Sequence, residues 1–131
     1  MTVCGIGCRL RVEVEITSTG EWLWAEYDSM TVESEADSYR LHVTGYHGNA
    51  GDAFNHDNVY LRSIGMQFST PERDNDQWAG GSCAGIAVGG WWFRHCSASN
   101  LNGIQARYWH STASGAPRPV SASRMMLQCE D

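Results

Sequence analysis

Between Gln67 and Gly103 the chain shows neither a helical nor a strand period, and this restricts its fold more than any other feature. The stretch reads QFSTPERDNDQWAGGSCAGIAVGGWWFRHCSASNLNG. Its order must come from something other than a backbone ladder. Three sources stand in the sequence: a bound cation, a disulfide and buried tryptophans. Asp74 and Asp76 are two apart, so in a turn both carboxylates can converge on one cation. A hard cation such as calcium takes roughly six to eight oxygens, carboxylate and carbonyl mixed. Gly80 and Gly81 let the chain curl so that main-chain carbonyls, for instance those of Trp78 and Gly80, point inward. An EF-hand is excluded, because the glutamate it requires would fall beyond Cys83. The same spacing equally suits a solvated acidic turn with Asx capping.

Cys83 and Cys96 enclose a loop that carries Gly85, Gly89 and Gly90. Two buried thiols are one reading. The glycines favour a disulfide, because such a loop has high entropy when unfolded and needs a tie. A cross-link of this span contributes about 3 kcal/mol in the chain-entropy model.

The first half does show a period. Leu10, Val12, Val14 and Ile16 alternate with Arg9, Arg11, Glu13 and Glu15, the pattern of a half-buried strand. After the Ser18-Thr19-Gly20 turn, Trp22, Trp24 and Glu26 alternate with Leu23, Ala25 and Tyr27. Tyr39, Leu41 and Val43 make a third strand that ends at Thr44-Gly45, so an antiparallel meander is expected. Charges such as Glu13 and Arg40 read as a solvated face. Gly65 to Ser69 reads as a short returning strand. His42, His47, His56 and Asp57 match no metal scheme and read as scattered surface polar groups.

With 131 residues the chain suits one modest domain. Its 14 glycines and 6 tryptophans suggest a loop-rich body pinned by aromatics. A net charge of −6 without a basic patch argues against nucleic acid as a partner. No apolar run approaches membrane-spanning length, and no apolar signal core follows Met1. Five cysteines are an odd number. With Cys83 and Cys96 paired, Cys4, Cys8 and Cys129 remain; either one of the first two pairs with Cys129 or all three stay unmatched. Gly81-Ser82-Cys83-Ala84-Gly85 superficially suggests a nucleophile elbow, but an acidic loop precedes it where a buried strand is needed. No catalytic residue is assigned, and a non-enzymatic role is expected.

The order of these motifs resembles the fibrinogen C-terminal (fibrinogen-related) domain family. The residues that carry the resemblance are Gly65-Met66-Gln67-Phe68-Ser69-Thr70, Arg73-Asp74-Asn75-Asp76, Trp78, Ser82-Cys83-Ala84, Trp91-Trp92-Phe93-Arg94-His95-Cys96 and Ser99-Asn100-Leu101-Asn102-Gly103. Upstream, Ala25-Glu26-Tyr27-Asp28-Ser29, Ser34 to Leu41 and Gly45 to Asp52 fit as well, so the likeness runs from about Arg9 to Gln128. Ser123 to Gln128 resembles the family's closing strand. The resemblance implies an α+β, fibrinogen C-terminal domain-like fold. Residues 1–8 are an unmatched N-terminal segment, residues 9–68 a central antiparallel-sheet subdomain, and residues 69–131 a loop-rich calcium- and ligand-binding subdomain. Members are longer at the N-terminus and usually extracellular. The chain therefore reads as a fragment, or as a divergent or truncated form, with oligomerisation expected through the region it lacks.

For chemistry, the resemblance implies calcium held by Asp74, Asp76 and the carbonyls of Trp78 and Gly80, with Gly81 as the alternative to Gly80. In the family's lectin members, of ficolin and tachylectin type, a pocket beside this loop holds an N-acetyl group. A cis peptide there turns backbone N–H groups toward the acetyl carbonyl. Carried over, the bond is His95–Cys96, the donors are the N–H groups of Cys96 and Ser97, and Tyr108 takes the place of a pocket tyrosine. Trp91 and Trp92 are expected as supporting core. Three departures weaken the pocket: Ser97 replaces a histidine, Ala87 stands where an aromatic wall can sit, and the segment after Gly103 is short. The implied function is calcium-dependent recognition of acetylated carbohydrate in a lectin-like, innate-immune role. The alternative is a protein–protein module that binds a receptor or matrix, as in angiopoietin-like members.

Overall fold

The computed structural model describes residues 4–104, 106–110 and 117–129, with side chains from Gly7 onward. Residues 111–116 of the small-residue stretch and the Cys4 thiol therefore lie outside the description. Six strands form one antiparallel sheet: β1 Cys4–Ile16, β2 Trp22–Val32, β3 Leu41–Gly48, β4 Ser99–Asn100, β5 Tyr108–Trp109 and β6 Arg118–Cys129. Their order is β3-β2-β1-β6-β5-β4, so the expected meander is the first half of the sheet. The last strand closes against the first.

The alternation read in β1 is the observed burial. Leu10, Val12, Val14 and Ile16 are buried, and Tyr27, Ala25 and Leu23 stand opposite the first three on the same face. The charged face is less open than expected. Glu13 accepts from Arg11 at 2.9 Å and from Arg124 at 2.9 Å. The two guanidiniums lie over Trp24 at 4.8 Å and Trp22 at 4.6 Å. Charges on adjacent strands pair because facing positions in an antiparallel ladder are neighbours.

The structure corrects three local expectations. The third strand begins at Leu41, not Tyr39, because Ser38 and Tyr39 are in left-handed backbone with φ of 48° and 59°. It also runs on past Gly45 to Gly48. Gly65 to Ser69 forms no strand. Gly65 has φ of 80° and bonds to Leu41, Met66 O accepts from Leu41 N, and Ser69 makes an isolated bridge to Trp91. The aperiodic stretch does contain a helix, α1 Cys83–Ala87, capped by Ser82. That helix and two short 3-10 turns, Glu35–Asp37 and Val59–Leu61, are all the helix among the described residues, so the expected α+β mix is weighted to sheet.

The loop-rich half is attached to the sheet through aromatics. Phe54 is fully buried and touches four rings: Tyr27 at 5.3 Å, Trp109 at 5.5 Å, Trp91 at 6.0 Å and Trp92 at 6.4 Å. Each indole N–H finds an acceptor: Gly51 O for Trp109, Ser99 Oγ for Trp91 and Tyr39 O for Trp92. The Tyr27 hydroxyl donates to Asp52 at 2.7 Å, and burial pushes its pKa far up.

Cys8 pairs with Cys129 across the β1–β6 ladder at a sequence separation of 121. Replacing both cysteines by serine is expected to lower stability by about 2–4 kcal/mol in urea melts; an unchanged midpoint would show that the ladder alone holds β6. Arg40 and Gln67 hold the Asp37 carboxyl down at about 2, against an ordinary 3.8. The folded state therefore favours the ionised form. That contribution is complete above the unfolded pKa and is lost as the pH falls from about 4 toward 2. Asp37→Asn is expected to flatten this acid limb when unfolding is followed at a series of pH values; an identical slope would refute the assignment.

Candidate functional site

The acidic loop is ordered by its own carboxylates. Asp76 Oδ1 accepts from Trp78 N and Oδ2 from Cys83 N, both at 2.8 Å. The second bond satisfies the first N–H of α1, a group that every helix leaves orphaned. Asp74 Oδ1 accepts from Asp76 N at 3.1 Å. Asx capping is thus present, and each carboxylate keeps further lone pairs. Asn75 anchors the loop: its N–H donates to Ser69 Oγ and its amide to Phe68 O. Gln77 N donates to Arg94 O at 2.7 Å, which fastens the loop to the chain after the tryptophan pair. Gly81 is required for space, because a Cβ there would come within 2.6 Å of the Trp78 ring.

Among the described residues, no three His, Cys, Asp or Glu side chains converge as a metal set. A cation at this loop would rest on two carboxylates and main-chain oxygens, an all-oxygen donor set suited to a hard ion. The Trp78 carbonyl already accepts from Gly81 N at 3.3 Å and has a second lone pair. The histidines lie apart: His42 meets Glu33, His47 meets Asp28, and His56 stacks on His110 with centroids 4.5 Å apart. His56 is 3% exposed, so it is a core residue and not the surface group expected.

Cys83 and Cys96 form a disulfide, which takes the Cys83 sulfur out of any nucleophilic role. The His95–Cys96 peptide bond is cis. Beside it lies a cavity of about 230 Å³, lined by Cys83, Ile86, Phe93, Cys96, Asn100 and Tyr108, with Ala87 and Ala106 completing the wall. Two of the four expected ligand residues, Cys96 and Tyr108, meet at this cavity. The other two direct their side chains elsewhere. The His95 ring is exposed and packs against Trp78 at 5.9 Å, and Ser97 Oγ lies 3.2 Å from Ser63 Oγ in the core. Tyr108 donates to Ser97 O at 3.0 Å, and burial raises the pKa of its phenol. Phe93, Ile86 and Asn100 were not singled out from the sequence. Asn100 carried a signal within its Ser-Asn-Leu-Asn-Gly run: its amide donates to Ala106 O at 2.9 Å, and its Oδ1 is buried with no partner among the described residues.

Residues 2–117 match the family model described as fibrinogen beta and gamma chains, C-terminal globular domain. The chain belongs to the fibrinogen C-terminal domain family. It is 47% identical over 103 residues to the fibrinogen alpha chain of Rattus norvegicus, a match that covers 75% of this chain and 13% of that protein. The fold superposes on the fibrinogen-like globe domain of human ANGPTL2 with a TM-score of 0.80 at 34% identity, covering 95% of this chain and 59% of that one. It also superposes on lamprey fibrin D-dimer, solved with the peptide ligand Gly-His-Arg-Pro-amide, with a TM-score of 0.79 at 30% identity. There the match covers 92% of this chain and 44% of that chain.

Asp76→Ala is expected to destabilise the protein by about 1–3 kcal/mol even in chelator, because two N–H groups lose their acceptor. Asp74→Ala, which frees one exposed N–H, should cost less. Equal losses in thermal melts with chelator would contradict this division of labour.

Proposed function

We propose that this domain is an extracellular, non-enzymatic recognition module that holds a small neutral acyl group, such as the acetamido group of an acetylated glycan, in the cavity beside the Cys83–Cys96 disulfide. The observation that carries this reading is the character of the cavity. Among the described residues no charged side chain lines it, Tyr108 and Phe93 supply aromatic walls, and its volume suits a single small group. Cys96 stands in the wall of the cavity, and its N–H and that of Ser97 are the donors this reading assigns to a ligand carbonyl. Calcium belongs to the same reading, held by Asp74, Asp76 and the carbonyls of Trp78 and Gly80. It would supply a fixed positive charge that offsets two close carboxylates. The chain's own part is rigidity: Asp76 ties the loop to α1, and α1 begins at the cysteine that forms one wall of the cavity.

A second reading, a protein partner, rests on a different observation. Ile86 in the cavity wall is 64% exposed, and Ile104, whose N–H donates to Ala87 O of the same wall, is 77% exposed, so two large apolar side chains stand in the open next to each other's segments. The peptide bound in lamprey fibrin supports this reading.

Thermal melts of oxidised protein in calcium, in chelator, and in calcium with N-acetylglucosamine separate the two. A ligand present at 100 times its Kd adds about 2.7 kcal/mol. A calcium shift with a further sugar shift is expected, and Asp74→Ala combined with Asp76→Ala should abolish the first. A calcium shift alone favours the protein partner; no shift with either addition sinks the calcium-dependent reading.

A further inference from the structure

A valine closes α1 in a backbone region that suits it poorly. Val88 has φ of 54° and ψ of 57°, and its N–H donates to Ala84 O. A β-branched residue in left-handed backbone is a steric outlier, and glycine or asparagine takes such a position at less cost. The core does not explain the choice, because Val88 is 38% exposed. The position carries an aliphatic side chain against the preference of its own backbone.

That side chain has neighbours of the same kind. Ile86, two residues earlier, is 64% exposed and lines the cavity beside the Cys83–Cys96 disulfide. Ile104, 77% exposed, donates its N–H to Ala87 O at 3.2 Å and to Val88 O at 3.3 Å. The two segments touch backbone to backbone. A Cβ on Gly89 would come within 2.5 Å of Asn102 O, and one on Gly103 within 3.1 Å of Ala87 O. This close fit fixes Ile104 beside Val88. Three exposed aliphatic residues are thus gathered next to the cavity, on segments that hold each other in place. Neither segment, 83–89 nor 100–104, contains a charged residue.

We propose, resting on the acyl reading of the cavity, that Ile86, Val88 and Ile104 form a ledge for a hydrocarbon chain. The ligand class is then a glycan whose neutral N-acyl group is longer than acetyl, with its carbonyl end in the cavity and its tail laid over the ledge. Ile86 belongs both to the cavity wall and to the ledge, so the two are continuous. An uncharged tail suits these surroundings. No ion on either segment has to be desolvated, and the tail covers apolar side chains that stand in water. A peptide would bring backbone N–H and C=O groups that aliphatic side chains cannot satisfy.

Calorimetric titration of the oxidised protein in calcium with glucosamine carrying N-acetyl, N-butanoyl or N-hexanoyl groups tests this. Full burial of a methylene tightens binding about fourfold, and a ledge that covers one side should give about twofold. The hexanoyl compound is therefore expected to bind roughly sixteenfold more tightly than the acetyl compound. Val88→Gly combined with Ile104→Ser should keep the circular dichroism spectrum and the acetyl affinity but lose the increase; the glycine relieves the left-handed strain, so the turn keeps its shape. Affinity that stays flat or falls with chain length, while the acetyl compound binds, would overturn the ledge and leave the acyl cavity standing. An increase that survives in the double variant would also overturn the ledge. Binding of none of the three compounds would sink cavity and ledge together.

Discussion

The structure depends above all on the burial of one ring. Phe54 sits between the sheet, represented by Tyr27 and Trp109, and the aperiodic stretch, represented by Trp91 and Trp92. A chain segment without ladder or long helix has few ways to pin its backbone. Here it does so by delivering large rings to a common centre and giving each indole N–H a specific oxygen. Two of those oxygens, Tyr39 O and Gly51 O, are main-chain carbonyls in the turns around β3. The loops of the two halves thereby position each other.

The cavity inherits its shape from that arrangement. Phe93 follows the buried tryptophan pair directly, and Cys96 is tied to Cys83 at the start of α1. Asp76 links the acidic loop to the same helix. One side chain thus couples the loop that would hold calcium to the wall that would hold a ligand. That tie is a hydrogen bond within the chain and does not require an ion.

Membership in the fibrinogen C-terminal domain family accounts for the sheet and the loop region, and the matched solved chains extend well beyond this one.

The sequence by itself determined the meander, because the strand period is local and each of Leu10, Val12 and Val14 declares its face without reference to distant residues. It also determined the family, through motifs kept in order, and the pairing of Cys83 with Cys96. Tertiary structure alone decided the rest, since those features depend on groups far apart in the chain. The five-residue helix after Ser82 is too short to show a period, and its first N–H relies on Asp76. His56 became a core residue only when His110, from beyond the aperiodic stretch, stacked on it. His95 and Ser97 lie within the expected ligand motif, but the path of the backbone on either side of Cys96 sends one ring to Trp78 and the other hydroxyl to Ser63. Which cysteine pairs with Cys129 was fixed by strand register, a property of two segments at opposite ends of the chain.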